Sequence, residues 1–286
     1  GVLFSIDGTI LVDYPCHKEG SSYVIPEGVI IIEGDSFYTC NLSEVVIAES
    51  VTTIGDSAFS HASLVDLVIP DSVITIGYGA FRNNGLRTLV IGAGLETIGS
   101  HAFSDNQLTN IVISDSVITI GSRAFSDNSI TNVIIGKSVS NLDVFAFYES
   151  NIHSYVVSED NHYYKSIDGV LFTKDGTTLI DYPSGSIRND YTIPDGVITL
   201  GEFSFAYGNI MYVDIPNTVI TIEHMSFKES ALVEVVIPDS VVTIKYNAFA
   251  ECQLQRVTLG SVLITIESEV FYRNKISSLI LGENIE

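Results

Sequence analysis

NQLTNIVISDSVITIGSRAFSD, running from Asn106 to Asp127, is the segment that decides how the chain is read. Its Phe125 belongs to a series with one phenylalanine every 22 residues: Phe37, Phe59, Phe81, Phe103, Phe125 and Phe147, then Phe205, Phe227, Phe249 and Phe271. A fixed period of this length marks a solenoid, in which each unit buries its apolar side only by stacking on its neighbours. Within the segment, Leu108, Ile111 and Ile113 follow an L-x-x-I-x-I pattern whose last three positions alternate like a half-buried strand. A turn residue ends that strand in most copies, as at Pro70-Asp71, Pro216-Asn217 and Pro238-Asp239. Val117 and Ile120 then predict a second short extended segment. Gly121 predicts a tight turn, and Ala124-Phe125 a helical or 3₁₀ turn whose ring fills the space between coils.

Two positions before the first leucine runs a small or polar ladder: Cys40, Ala62, Asn84, Asn106, Asn128, Ser150, Gly208, Ser230, Cys252 and Asn274. Stacked Asn, Ser or Cys there bonds turn backbone groups that burial would otherwise leave unpaired. This accounts for two of the three cysteines without further chemistry. Cys16, Cys40 and Cys252 show no paired spacing, so neither a disulfide framework nor a zinc site is expected.

Composition fits one repeat domain spanning residues 1–286, with 46% apolar and only 17% charged residues. A net charge of −22 repels phosphate backbones and anionic lipid head groups, which argues against nucleic-acid and membrane-surface partners. No stretch reaches the 18 or so apolar residues of a membrane span.

Phe147 to Phe205 is 58 residues, one period plus 36, so an insert separates the two series. It contains GVLFTKDGTTLIDYP from Gly169, two apolar runs joined at an Asp-Gly turn, and the chain opens with the matching GVLFSIDGTILVDYP from Gly1. Hairpin modules are therefore expected at about 1–20 and 163–190, with 22-residue repeats at about 21–152 and 191–286. Both ends read as cut from a longer array, the last within the coil that finishes LILGENIE, and such ends favour end-to-end dimers.

The IPDSVxTIGxxAF unit, its Leu/Asn ladder and the interspersed DGVLFxKDGxTLIxYP hairpin resemble the BspA-like leucine-rich repeat family, also called the Treponema-type repeat. The resemblance covers essentially the whole chain. It implies a right-handed, β-rich leucine-rich-repeat solenoid with short parallel strands, 3₁₀ or helical turns and hairpin inserts. It also implies a secreted or cell-surface location and, in several members, adhesion to host matrix proteins or cells. The family supplies no catalytic, metal or cofactor residues to carry over. EHMSF and ESEVF lose the glycine before the turn, so those coils are expected to be locally irregular.

Between the last two inward positions of each first strand, one residue faces outward: Val46, Val68, Val90, Val112, Ile134, Val156, Asp214, Val236, Thr258 and Ile280. At about 4.8 Å per coil this forms an apolar stripe, and stripes of that kind mark contact surfaces, although strand propensity alone also favours valine there. Beside it runs a variable row, Glu44, Asp66, Thr88, Asn110, Asn132, Ser154, Tyr212, Glu234, Arg256 and Ser278, where specificity or simple drift can reside. Tyr212, Arg256, Met211 and His153 are candidate anchors, because aromatic and Arg side chains dominate interface energetics.

A second outward row carries Thr53, Thr75, Thr97, Thr119, Asn141, Thr199, Thr221, Thr243 and Thr265. It resembles an ice-contacting ladder, but the single Thr per coil and Glu96 beside it argue against that use. GDSF at Gly34–Phe37 matches the opening of a serine-esterase block, yet it occupies the repeat position of GDSAF at Gly55–Phe59, so it reads as turn chemistry. The six histidines show no metal spacing, and no D-x-D-x-D-G calcium loop occurs. The expectation is a non-catalytic interaction protein for a protein or glycan ligand, without cofactors. A structural spacer is the competing class and an ice-binding solenoid the remote one.

Overall fold

The computed structural model describes residues 1–282; residues 283–286, which complete the LILGENIE segment, lie outside the described residues. The chain folds as two compact units, one comprising residues 1–150 and 157–162 and the other residues 151–156 and 163 onward. Each is a leucine-rich-repeat β-solenoid opened by a hairpin.

In the first unit Leu3–Phe4 pairs antiparallel with Ile10–Asp13, and that strand begins a parallel ladder. The ladder continues through Ile31–Ile32, Thr53–Ile54, Thr75–Ile76, Thr97–Ile98, Thr119–Ile120 and Asn141–Leu142, an eight-stranded sheet in all. First strands pair in register on another side of the coil, Ser22–Val24 with Glu44–Val46, Asp66–Ile69 with Thr88–Ile91, and Asn110–Val112 with Asn132–Ile135. The second unit repeats the plan. Its hairpin of Val170–Thr173 and Thr178–Asp181 leads a ladder through Thr199–Leu200, Thr221–Ile222, Thr243–Ile244 and Thr265–Ile266. Its first strands form a five-stranded sheet from Asp190–Thr192 to Ser278–Ile280.

Both hairpin turns close in the same way. Asp7 Oδ1 accepts from the Ser5 and Thr9 hydroxyls and the Thr9 N–H, and Asp175 Oδ1 accepts from the corresponding groups of Thr173 and Thr177. Those bonds favour the charged carboxylate and hold Asp7 down at about 2. The following Gly8 and Gly176 take φ of 76° and 81°, which glycine alone adopts without a side-chain penalty.

The phenylalanines stack face to face along each core. Centroid spacings are 4.6–5.5 Å from Phe37 to Phe147 and 4.6–5.6 Å from Phe205 to Phe271. Each stack begins one element earlier than the period suggests: Tyr14 lies on Phe37 and Tyr182 on Phe205, at 4.9 and 5.1 Å. The tyrosine of each DYP module is thus the first ring of the core.

The segment carrying Phe is not the expected helical or 3₁₀ turn; among the described residues there is no helix at all. It is a pair of hydrogen-bonded turns hinged on two left-handed residues per coil, such as Arg123 at φ 55° and Asp127 at φ 55°. That conformation aims alternate N–H groups at the next coil, as where Phe103 N donates to Ala124 O at 2.7 Å and Asp105 N to Ser126 O at 3.1 Å. A helix would turn those donors back on itself. The coils that lost glycine are not irregular either, since Met225 and Glu269 keep the left-handed angle at 54° and 59°. In the glycine column a Cβ on Gly55 would come within 2.6 Å of Gly34 N, whereas Glu223 and Lys245 replace glycine in adjacent coils and pair at 2.7 Å.

Asparagine ladder residues bond as expected. Asn106 donates to the carbonyls of Phe81, Phe103 and Ser104 at 3.0–3.1 Å and accepts from Leu86 N–H at 3.1 Å; Asn84, Asn128 and Asn274 repeat the set. Cys252 is a free, buried thiol in the same role, donating to Phe227 O at 2.9 Å. Cys40 departs from the expectation, because it forms a disulfide with Cys16 across a Cα separation of 4.5 Å. The bridge ties the opening hairpin module to the first coil. The equivalent positions of the second unit, 168 residues on, are Ser184 and Gly208, and these are again neighbours, with a Cβ on Gly208 falling 3.8 Å from Ser184 Cα.

Phe125→Ala is expected to cost about 3–5 kcal/mol in urea unfolding as a core cavity; an unchanged midpoint would place the ring outside the core. Closing a loop of 24 residues, the disulfide is expected to contribute about 3 kcal/mol through the unfolded state. Thiol titration of the denatured, unreduced chain should therefore find one thiol, Cys252, and three would refute the bridge.

Candidate interaction face

First strands present to solvent the residue that follows their buried Ile111-type position, because period-2 alternation turns neighbouring side chains to opposite faces. In the first unit Val46, Val68, Val90, Val112 and Ile134 are 43–61% exposed, and Val24 of the hairpin coil extends the row in register with Val46. Val156 is exposed as expected; in the five-stranded sheet of the second unit Val236 and Ile280 are exposed too, but that row also contains Thr192, Asp214 and Thr258 and is mixed in polarity. The apolar stripe is therefore a property of the first unit. Val24 and Thr192 were missed because the hairpin modules interrupt the phenylalanine count.

Beside the stripe, Asp66 accepts from the Thr88 hydroxyl at 2.5 Å and Asn132 donates to Asn110 Oδ1 at 3.1 Å, so the variable row cross-links neighbouring coils. In the second unit it reads Asp190, Tyr212, Glu234, Arg256, Ser278 in strict register. Tyr212 is exposed, while Arg256 is held by Glu234 at 2.5 Å. Met211 is half-buried. His153 is exposed at the edge of a recess of about 380 Å³ that also contains Asp168, Tyr182 and Arg188.

Next to that recess lies a partly buried acid bonded to the buried Tyr155. Tyr155 donates its hydroxyl to Asp181 Oδ2, and burial raises the Asp181 carboxyl to about 7, against the opposing effect of that hydrogen bond. Burial, then the neighbouring Asp181, raises the Tyr155 phenol well above its ordinary value. The counterpart in the first module, Asp13, is exposed.

The remaining candidate chemistry resolves into structure. Ser36 of GDSF is buried and donates to Glu33 O at 2.7 Å, a turn bond that Ser226 repeats with Glu223 O at the same distance. Threonines of the second row are mostly half-buried and face one another coil to coil, Thr75 with Thr97 and Thr221 with Thr243 among them. Among the described residues no helix is long and apolar enough to cross a membrane, and no three His, Cys, Asp or Glu side chains are grouped to hold a metal ion.

Residues 16–120, 74–190 and 198–286 match the BspA type leucine rich repeat region in six copies. The chain belongs to the BspA-type leucine-rich repeat family. No curated protein matches it. Among solved structures it is similar to a leucine-rich repeat protein of Eubacterium ventriosum, with 22% identity and a TM-score of 0.69 over 96% of this chain and 81% of that one. A leucine rich cell surface protein of Faecalibacterium prausnitzii gives 20% identity and 0.62 over 98% and 92%. The pneumococcal vaccine antigen PcpA gives 22% and 0.62 over 98% and 71%. At these identities the likeness is one of fold, and membership in the BspA-type family makes the chain a repeat-based interaction protein.

A carboxyl raised to about 7 is protonated more readily in the folded state than in the unfolded one. Its contribution is full below about pH 4 and is lost as pH rises through about 7. The unfolding midpoint is therefore expected to fall between pH 5 and pH 8, and Asp181→Asn to flatten that slope. An unchanged slope in the variant would show that Asp181 titrates as an ordinary carboxyl.

Proposed function

We propose that the chain is a non-catalytic adhesive protein, exposed at a cell surface or secreted, that holds a protein or glycan ligand on its first-strand face. The observation that carries this reading is the row from Val24 to Ile134 in the first unit, an unbroken line of branched aliphatic side chains 43–64% exposed on six successive coils. Soluble proteins expose contiguous apolar patches mainly where they make contacts. The Cys16–Cys40 bridge supports an oxidising compartment, and the descriptions of the Faecalibacterium protein as a cell surface protein and of the pneumococcal one as a vaccine antigen point the same way.

Catalysis has no part in this mechanism. The backbone ladders hold the face rigid, so a ligand loses little to ordering of the receptor, and apolar burial along the stripe supplies the affinity. Tyr212 and His153 would add anchors on the second unit.

The test is binding of the purified chain to immobilised matrix proteins, mucins and cell-surface glycans, beside a Val112→Glu/Ile134→Glu variant. Both side chains point outward, so the variant should unfold at the parent midpoint and lose at least about tenfold in affinity. Equal binding by a folded double variant would remove the stripe from the interface.

A further inference from the structure

Two open grooves lie at the same place in the coil, one on each unit, between the outward row of the first strand and the turn that follows. In the first unit a groove of about 600 Å³ is lined by Glu44, Val46, Glu49, Asp66, Val68 and Pro70. In the second a groove of about 630 Å³ is lined by Asp190, Tyr212, Asp214, Val236, Asp239 and Thr258. Each therefore combines three carboxylates with two exposed apolar side chains.

None of these carboxylates has a cation beside it. The ion pairs among the described residues take up Asp105, Asp115, Glu223, Glu229, Glu234, Glu251 and Glu267. Asp66 accepts from a hydroxyl and Asp239 from the Ser261 N–H and hydroxyl, whereas Glu44, Glu49, Asp190 and Asp214 accept no side-chain bond. The middle of the stripe differs: Val90, Val112 and Ile134 stand beside Thr88, Asn110 and Asn132. On the first strands themselves, acids beside aliphatics thus fall in the grooves and not along the middle of the stripe, whereas turn acids such as Asp71 and Asp115 recur elsewhere.

We propose that each groove binds an extended protein segment that alternates cationic and branched aliphatic side chains. The troughs cross successive coils, which suits a linear segment. Unpaired carboxylates on a chain of net charge −22 favour Lys and Arg and disfavour anionic ligands, while Val46 and Val68, or Tyr212 and Val236, take the aliphatic groups. This rests on the preceding reading of the face and names the chemistry of its partner.

The probe is a short blocked peptide of alternating Lys and Val, titrated calorimetrically into the full chain in the presence of EDTA, with Glu–Val and Lys–Ser peptides alongside. Saturable, salt-sensitive binding of Lys–Val at two sites is expected, with Glu–Val inert and Lys–Ser at least about tenfold weaker. Glu44→Gln/Glu49→Gln should remove one site, Asp190→Asn/Asp214→Asn the other, and all four together both. A control variant, Glu96→Gln/Asp127→Asn, lies outside the grooves and should bind as the parent does. The four changes neutralise only four of 35 acidic residues, so diffuse attraction to the net charge would survive them. Unchanged binding by the folded quadruple variant overturns the proposal, as does equal binding of Lys–Ser or a requirement for added calcium. If Val112→Glu/Ile134→Glu loses a protein ligand that the quadruple variant keeps, the face reading stands and this inference falls. A ligand kept by both removes the face reading.

Discussion

One ring per coil, stacked on the next at about the spacing of parallel strands, is the constraint from which the rest of each unit follows. For Phe103 to lie 5.3 Å from Phe125 and nearly parallel to it, successive coils must repeat their backbone path closely. A ring can be turned inward at a sharp corner only if the chain reverses on both sides of it. The reversals use left-handed residues, His101 and Asp105 in one coil, Arg123 and Asp127 in the next. Each such non-glycine residue costs about 1 kcal/mol, offset because the corner's own N–H groups enter an inter-coil ladder. The carbonyls this geometry leaves inside, those of the stacked phenylalanines, are taken by the asparagine ladder.

This hierarchy explains what could be read from the sequence. Phe125 recurs unchanged, and Ile111 and Ile120 recur as apolar residues, because stacking restricts them, and a strict period exposes such positions without any alignment. The helical reading of Ala124-Phe125 failed because an apolar pair after a glycine looks alike in a helix and in a left-handed corner, and nothing in Arg123 or His101 advertises a positive φ. Tyr14 and Tyr182 escaped because they sit 23 residues, not 22, before the next ring.

The disulfide was hidden for a related reason. Cys40 occupies a ladder position where a small polar residue has a sufficient role, and Cys16 lies in a module outside the repeat. A signal was present in the comparison of the two modules, since both cysteines are replaced together, by Ser184 and Gly208. A bridge explains joint loss; a ladder role for Cys40 alone does not. The grooves were only partly legible: Glu44 and Asp66 already fall in one outward row, whereas Glu49, in the turn, joins them only in the folded coil.

Division of labour between inward and outward positions then bears on function. Inward residues are fixed by ring stacking and by backbone bonds, so an outward side chain such as Val112 or Glu44 can change without altering the path of the chain. Outward positions on the second-strand side are mixed, with Ile74 and Ile118 exposed on either side of Glu96. The first strands of the first unit instead keep branched aliphatics at six consecutive outward positions, Val24 to Ile134. Thr88, Asn110 and Asn132, on the same strands and equally exposed, show that strand formation does not require aliphatic side chains at outward positions. Strand propensity alone therefore does not account for the stripe, and this is the observation on which the proposed contact role rests.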